Sequence, residues 1–326
     1  MSAGIDPGCV RLRLAASGGR ISAVNVISER PAVTRALRGR PADDAVRLVP
    51  LLFALCGKAQ GRAAELALAA ARGRECAAQL DPAIQAEAMR EHLWRWLLDL
   101  PPLLGEAPLH AEFVAAAGCI AAGQRAELAA LLDEPRIKAL CRRLVEVDDA
   151  ADSAPPHLPP FLPPLDARSS LALWPQFDDG FCRTPRWQGQ AAETGALARR
   201  QGRAPTGEAA FAARWLARLE ELRDWAVGTE KVGAGGTASA APAAPGRGRA
   251  LVETARGPLM HEIALDGERI ADYFIVAPTE WNFHPQGPLA GWLMGHDACN
   301  REELKAFAAR AVAALDPCVR WELEWL

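Results

Sequence analysis

Two stretches of the chain alternate between apolar and polar residues, and each encloses a turn signal. Near the beginning, residues 10–15 and 21–27 flank a Ser-Gly-Gly sequence at 17–19. Near the end, residues 259–265 and 269–277 flank an Asp-Gly pair. A period of two around a short glycine turn is typical of a β-hairpin with one buried face. The pattern therefore predicts one antiparallel hairpin toward each terminus.

Between the hairpins, apolar residues recur at helical spacing. Pro41 opens the first such segment, which continues past Cys56, with Gly57 and Gly61 indicating a break or a close contact there. Further helices are predicted at 84–99, 111–123, 125–132, 136–147, 206–225 and 301–315. This order of elements favours an α+β fold that is mainly α, with a helical core and small antiparallel sheets near both termini.

Domain boundaries are not evident in the pattern. Residues 233–249 are mostly glycine, alanine and proline and carry almost no large apolar side chain, so they are predicted to form a mobile loop. The rest of the chain is predicted to form one domain that spans residues 1–326.

Composition excludes several classes of protein. The chain has 326 residues, 50% of them hydrophobic, and a formal net charge of -3 with basic and acidic residues interspersed. Neither nucleic acid nor an anionic membrane surface is an expected partner. No apolar run approaches the roughly 20 residues of a membrane helix, and no export signal precedes the eight cysteines. We therefore expect a cytoplasmic protein without membrane insertion, with free thiols and no CxxC zinc motif.

Two cysteines have unusual neighbours. Cys56 is followed by Gly57, which permits close approach of a bound group, and by Lys58, which is expected to favour the metal-binding thiolate. Cys318 follows Asp316 and Pro317 just past a predicted helix end. Taken one at a time, each is better explained as an ordinary buried thiol, because free cysteine is among the most buried residue types.

Two further candidates are polar positions beside the second hairpin. The sequence Pro-Thr-Glu-Trp-Asn at 278–282 follows an apolar strand, where loops often carry function. Arg256 precedes the hairpin. A plain turn at 278–282 and a solvated arginine are the better explanations when each signal is considered alone.

In combination these signals resemble the nickel–iron hydrogenase large subunit. The matching motifs are, in order, the segment ETARG at 253–257, His261, the Asp266-Gly267 turn, Tyr273, the segment PTEWN at 278–282 and Asp316-Pro317-Cys318. The region from Arg38 to Gly57 resembles the first cysteine motif of that family more loosely. The resemblance implies the large-subunit fold for the chain as a whole.

The resemblance also implies half of the family's metal site. In that family four thiolates hold nickel and an iron that carries two cyanides and one carbon monoxide. Cys56 and Cys318 match two of the four cysteines, whereas Ala59 and Trp321 stand where the two bridging cysteines are expected. No nickel is therefore expected, and hydrogen turnover by this chain is not expected either.

The resemblance also implies that the chain keeps the residues that surround the cyanide and carbonyl ligands of the iron. Arg256 matches the arginine beside one cyanide, and Thr279 matches the hydroxyl that donates to the other, with Pro278 in the same pocket. Buried cyanide nitrogens are strong acceptors that need such donors. The resemblance thus implies metal ligands at Cys56 and Cys318 and a cyanide and carbonyl pocket at the other three positions.

This combination is similar to the HupK/HoxV proteins, which are accessory proteins of hydrogenase maturation. That resemblance implies a non-catalytic scaffold that holds the iron–dicyanide–carbonyl unit transiently and passes it to the apo large subunit. The implied partners are the large-subunit precursor and Hyp-type maturation proteins. Two alternatives stay open: a metal-free chaperone that mimics the large subunit, and an active hydrogenase subunit.

Overall fold

A computed structural model describes residues 8–29, 33–53, 55–149, 158–201, 210–229 and 235–326. Within these ranges the strands form two sheets, one of three strands and one of five. The strands are β1 Cys9–Ser17, β2 Arg20–Glu29, β3 Cys76–Leu80, β4 Thr237–Ala244, β5 Arg247–Thr254, β6 Gly257–Asp266, β7 Arg269–Val276 and β8 Arg320–Trp325.

Helices occupy most of the middle of the chain. They are α1 Ala42–Leu52, α2 Gly57–Ala71, α3 Pro82–Trp94, α4 Leu100–Leu103, α5 His110–Ala122, α6 Arg125–Leu132, α7 Pro135–Asp149, α8 Ala167–Leu173, α9 Asp179–Arg183, α10 Ala196–Gln201, α11 Ala210–Val227, α12 Pro278–Asn282, α13 Pro288–Leu293 and α14 Arg301–Leu315. A 3-10 helix spans Val33–Leu37, and a π-helical turn, Arg95–Asp99, joins α3 to α4. The predicted α+β class is confirmed.

Both predicted hairpins are present. β1 and β2 pair antiparallel around Gly18 and Gly19, whose positive φ angles of 59° and 76° suit glycine. β6 and β7 pair antiparallel around the Asp-Gly turn. The first sheet also contains β8, which pairs with β1 in parallel. This last pairing brings the end of the chain back to its beginning, and the sequence pattern did not predict it.

The prediction of a loop at residues 233–249 is wrong for the part that the structure describes. β4 and the start of β5 form a hairpin inside the five-stranded sheet, in the order β3-β4-β5-β6-β7. The small residues are needed because α2 lies directly on these strands. A Cβ added at Gly248 would lie only 2.0 Å from the backbone nitrogen of Ala71. Residues 233 and 234 lie outside the described ranges.

Five apolar clusters are found among the described residues, and three of them hold most of the elements together by removing apolar surface from water. The first packs α1 and the alanine-rich α2 against the five-stranded sheet. The second packs α3 and the helices α5, α6, α7 and α11 around Trp96 and Trp215, whose rings meet edge to face at 6.3 Å. The third packs α13 and α14 against the three-stranded sheet. The candidate cysteines lie at the ends of elements from the first and third clusters.

Candidate functional site

A cleft of about 1280 Å³ lies where the junction of α1 and α2 faces the segment between α14 and β8. Cys56 and Cys318 both line this cleft. The two thiols are close enough that charge on Cys318 raises the pKa of Cys56. The fold therefore brings together two cysteines that are 262 positions apart in the sequence, as the resemblance implied.

Cys56 is placed by a break between two helices. α1 ends at Leu52, and Cys56 is the residue that precedes the first turn of α2. The break is close-packed, because a Cβ at Gly57 would lie 3.1 Å from the Pro50 carbonyl oxygen and one at Gly61 would lie 3.3 Å from the Pro50 side chain. Glycine at both positions lets the two helices meet and sets Cys56 on the cleft wall.

The thiol of Cys56 has an apolar, weakly hydrogen-bonded environment. Its sulfur lies 3.7 Å from Nε2 of Gln60, whose Oε1 accepts a hydrogen bond of 2.9 Å from His261. Burial and the neighbouring Cys318 raise the pKa of Cys56 to about 12. The expectation that Lys58 favours a thiolate here is wrong, because the Lys58 side chain is exposed and burial dominates.

Cys318 is placed by the end of α14 and by α12. Asp316 ends α14 in the left-handed conformation, with φ 56° and ψ 72°, and Pro317 follows. This turn directs Cys318 toward Thr279, whose hydroxyl lies 3.2 Å from the Cys318 sulfur. The backbone N–H of Cys318 also donates to the Thr279 hydroxyl, at 3.4 Å. Two contacts with one hydroxyl therefore orient this thiol.

Thr279 and Pro278 belong to the first turn of α12, directly after β7. Pro278 occupies the first helical position, where its missing N–H costs nothing. Both residues are buried, and Thr279 is only 1% exposed. The predicted turn at 278–282 is thus a short helix, and it holds Thr279 against Cys318.

Arg256 is buried behind the two thiols rather than solvated. Its Nε donates to Asp316 at 3.1 Å, and its Nη1 is hydrogen-bonded to Glu91. Burial alone would lower the pKa of Arg256, but the two carboxylates and the neighbouring cysteines raise it. The guanidinium therefore stays charged. Among the residues that the structure describes, no acceptor contacts its Nη2.

A network of ion pairs supports this guanidinium. Arg95 lies 2.7 Å from the same Asp316 oxygen that Arg256 contacts and also donates to the Pro317 carbonyl at 3.2 Å. Burial would raise the pKa of Asp316, yet Arg256 and Arg95 hold it well below its usual range. Burial raises the pKa of Glu91 to about 7, although the neighbouring Arg256 opposes this shift.

The roles of Glu91, Arg95 and Gln60 in this site are not evident from the sequence. Glu91 and Arg95 are four positions apart on one predicted helix, a spacing that indicates a shared face. Nothing in the sequence reveals that this face meets Asp316, which lies more than two hundred positions away. Gln60 carries no local signal at all, because its role depends on the approach of His261 from β6.

The two positions at which the resemblance implies a missing bridging cysteine have different environments. Ala59 is completely buried in the first apolar cluster, and its N–H donates to Glu87 at 3.0 Å. Trp321 lies in β8 and lines the cleft beside Cys318. Cys9 and Cys182 also line the cleft. In the part of the chain described, no group of three or more His, Cys, Asp or Glu side chains could hold a metal ion.

Comparison with known proteins gives the family. Residues 209–320 match the family model described as nickel-dependent hydrogenase. The chain is 33% identical to the hydrogenase expression/formation protein HoxV of Cupriavidus necator, over 92% of each chain. It is 30% identical to the hydrogenase expression/formation protein HupK of Azotobacter vinelandii, over 94% of this chain and 95% of that one. The chain belongs to the HupK/HoxV family of hydrogenase expression/formation proteins.

Solved structures show the same fold as this family member. The reduced Ni-Fe-Se hydrogenase of Desulfomicrobium baculatum superposes with a TM-score of 0.57 at 15% identity, covering 94% of this chain and 95% of that one. The as-isolated, oxidized Ni-Fe-Se hydrogenase of D. vulgaris Hildenborough gives a TM-score of 0.58 at 15% identity, with 93% and 94% covered. The predicted large-subunit fold is confirmed.

No helix in the described ranges is long and apolar enough to cross a membrane.

Proposed function

We propose that this HupK/HoxV protein is a maturation scaffold for nickel–iron hydrogenase. It would receive an iron–dicyanide–carbonyl unit, hold it through Cys56 and Cys318, and pass it to the apo large subunit. Two observations support the proposal: relatives named as hydrogenase expression/formation proteins, and two cysteines that line one cleft with buried donors beside them. The proposal depends mainly on the position of the two cysteines in one cleft.

The donor set suits this cargo. Soft thiolates are suitable ligands for low-spin iron, and the diatomic ligands would complete most of the remaining coordination positions. Arg256 has one guanidinium nitrogen, Nη2, without an acceptor among the described residues, and Thr279 has a hydroxyl beside the Cys318 sulfur. These are the donors that two buried cyanide nitrogens require.

The proposal also includes proton release. Cys56 is a thiol at neutral pH because burial raises its pKa to about 12. Binding iron would therefore displace a proton from it, as metal binding generally does for cysteine ligands. Glu91, with its pKa raised to about 7, lies next to Arg256 and is suited to accept or release a proton as the charge in the site changes.

We infer a non-catalytic role for the chain itself. Ala59, at one of the two aligned bridging positions, is buried in the α2 core, and Trp321 fills the other with an indole. Two thiolates cannot assemble the four-thiolate dinuclear site. The proposed partners are the large-subunit precursor and Hyp-type maturation proteins, and the proposed compartment is the cytoplasm.

Infrared spectroscopy tests the proposal. Protein purified without oxygen from cells that make hydrogenase is expected to show cyanide and carbonyl stretching bands together with iron. The bands are expected to disappear in Cys56→Ala and in Cys318→Ala. Cys141→Ala is the matched control, because Cys141 is a partly buried thiol on α7. Iron-free wild-type protein from such cells would contradict the proposal.

A metal-free chaperone is the second candidate. Leu51 and Leu55, which flank the cleft wall near Cys56, are 79% and 45% exposed. Exposed apolar residues beside a groove favour contact with another protein. Under this alternative the double variant Cys56→Ala/Cys318→Ala would still support hydrogenase maturation in cells, whereas the scaffold proposal requires a loss of maturation.

A further inference from the structure

A second, much smaller cavity lies on the far side of Arg256 and Asp316. Its volume is about 20 Å³, and a cavity needs roughly 10–15 Å³ to hold one water molecule. Its lining is mostly polar and includes Thr194, Arg214, Arg218, Arg256, Asn282 and Asp316. Empty cavities in proteins are usually apolar, so a polar cavity of this size indicates an occupant.

Within the described lining, Arg218 is a side chain with one buried guanidinium nitrogen that has no hydrogen-bond partner. Arg218 is only 6% exposed, and its guanidinium carbon lies 4.9 Å from the centre of the Trp215 ring. Its Nη2 donates to the Ala314 carbonyl, but its buried Nη1 has no hydrogen-bond partner among the described residues. One N–H-bearing nitrogen of a buried cation is therefore unsatisfied.

Other buried arginines do not share this feature. Arg214 forms two hydrogen bonds with Glu193, and Arg249 is hydrogen-bonded to Glu262. Arg256 has both Asp316 and Glu91. For Arg218, no hydrogen bond to a carboxylate is found within the residues described. A buried guanidinium nitrogen whose N–H groups have no acceptor is unfavourable.

Arg218 keeps its proton, so the unfavourable burial of its N–H groups is not relieved by deprotonation. Burial lowers its pKa to about 10, with Arg95 and Arg256 contributing, but Asp316 opposes the shift. The side chain is therefore still a cation at neutral pH. Its Nη1 needs an acceptor, and the described residues do not supply one to that nitrogen.

We propose that the cavity holds one monatomic-sized hydrogen-bond acceptor, a chloride ion or a water molecule, bound by Nη1 of Arg218. The cavity also touches Asp316 and Arg256, so the bound group forms part of the rear wall of the two-thiol site. It would fix Arg218 beside Asp316 and complete the polar layer that holds Arg256. This binding site exists whether or not the chain carries iron.

Crystallography on the wild-type protein tests the proposal directly. Crystals grown in sodium bromide instead of chloride are expected to show one isolated density peak in the cavity, within hydrogen-bond distance of Arg218 Nη1. An anomalous bromine signal identifies the ligand as a halide, and a peak without that signal identifies it as water. An empty cavity, or an Arg218 Nη1 bonded to a protein acceptor, would overturn the proposal.

A variant then tests whether Arg218 is the residue that binds. Arg218→Met keeps the length of the side chain and removes the donors, so the density peak is expected to disappear. Arg125→Met is the control, because Arg125 also lies over a tryptophan, Trp225, at 4.6 Å, but does not line this cavity. A peak that persists in Arg218→Met would show that Arg218 does not hold the ligand. If that variant does not fold, the wild-type bromide experiment still decides the question.

Discussion

Cys56 and Cys318 line the same cleft, yet the two thiols are held in different ways. Cys318 is oriented by hydrogen bonds, because the Thr279 hydroxyl contacts both its sulfur and its backbone N–H. Cys56 is held mainly by packing against the first apolar cluster, and among the described residues its sulfur is hydrogen-bonded to Gln60 alone, at 3.7 Å. One side of the site is therefore preorganised by polar contacts, while the other is a partly buried thiol that must lose a proton before it can bind a metal.

The difference follows from the elements on each side. The Cys318 side is built on Asp316, which holds Arg95 and Arg256 in one ion-pair network. The Cys56 side is built on a chain of neutral groups, in which Gln60 contacts His261 and His261 contacts Tyr273 at 2.9 Å. Removing one partner from a buried ion-pair network leaves an uncompensated charge and is strongly destabilising, whereas loss of one neutral hydrogen bond destabilises the fold less.

Asp316→Asn should have the largest effect, because it breaks the charged side. Removing one partner of a buried ion pair costs about 3–5 kcal/mol, so urea unfolding should show a loss of that size. The pKa of Asp316 is depressed in the folded state, so its contribution is present above the unfolded value and is lost as pH falls through the folded value. The difference between wild type and variant should therefore shrink in acid.

The control for this experiment is Asp99→Asn. Asp99 also pairs with Arg95, but its side chain is 33% exposed, and such pairs contribute about 0–1 kcal/mol. Equal losses in the two variants would contradict the importance assigned to Asp316.

The second largest effect is expected in the pH dependence of the rate at which Cys56 is alkylated. Because its pKa is raised to about 12 and the thiolate is the reactive form, its rate should rise about tenfold per pH unit from neutral pH upward. Mass spectrometry of the Cys56 peptide after iodoacetamide treatment measures this. A rate that is high and independent of pH near neutrality would show that Cys56 is already a thiolate.

Cys299 provides an internal reference for that measurement. It is exposed, and Asp297 raises its pKa through a hydrogen bond. Asp297→Asn should therefore accelerate alkylation of Cys299 and leave the Cys56 rate unchanged.

Thr279→Val should remove the hydrogen bonds that orient Cys318 and leave the contacts of Cys56 unchanged. The variant removes both contacts of the hydroxyl with Cys318, to its sulfur and to its part-buried N–H. At about 0.5–1.5 kcal/mol for each contact, this loss should appear in thermal or urea unfolding. Thr279→Ser keeps the hydroxyl and should lose much less stability. Equal destabilisation by valine and serine would indicate that the Thr279 methyl group, rather than its hydroxyl, supports this side.

Tyr273→Phe should have the smallest effect. His261 is neutral, since burial lowers its pKa to about 3, and it accepts the Tyr273 O–H while it donates to Gln60. Loss of one neutral hydrogen bond costs about 1 kcal/mol, measurable by urea unfolding. A loss as large as that of Asp316→Asn would contradict the distinction between the two sides of the site.

Local patterns predicted most of the secondary structure. α6 and α14 have the predicted bounds, and both hairpins are found around their glycine turns. The error at 233–249 has a physical cause. Alanine and glycine there indicate low burial when read locally, but in the fold they allow α2 to approach the sheet.

The order of motifs in the sequence determined the family, the fold and the prediction that Cys56 and Cys318 lie close together. Each motif is a short run of residues whose chemistry can be recognised without coordinates. Only the tertiary structure decided what surrounds those residues. It placed Arg95 on Asp316, Glu91 on Arg256, His261 on Gln60, and Arg218 on a small polar cavity. These contacts depend on elements that meet across large sequence separations, and pKa values depend on burial. Neither the long-range contacts nor the burial of each titratable group is encoded in the local pattern of apolar and polar residues.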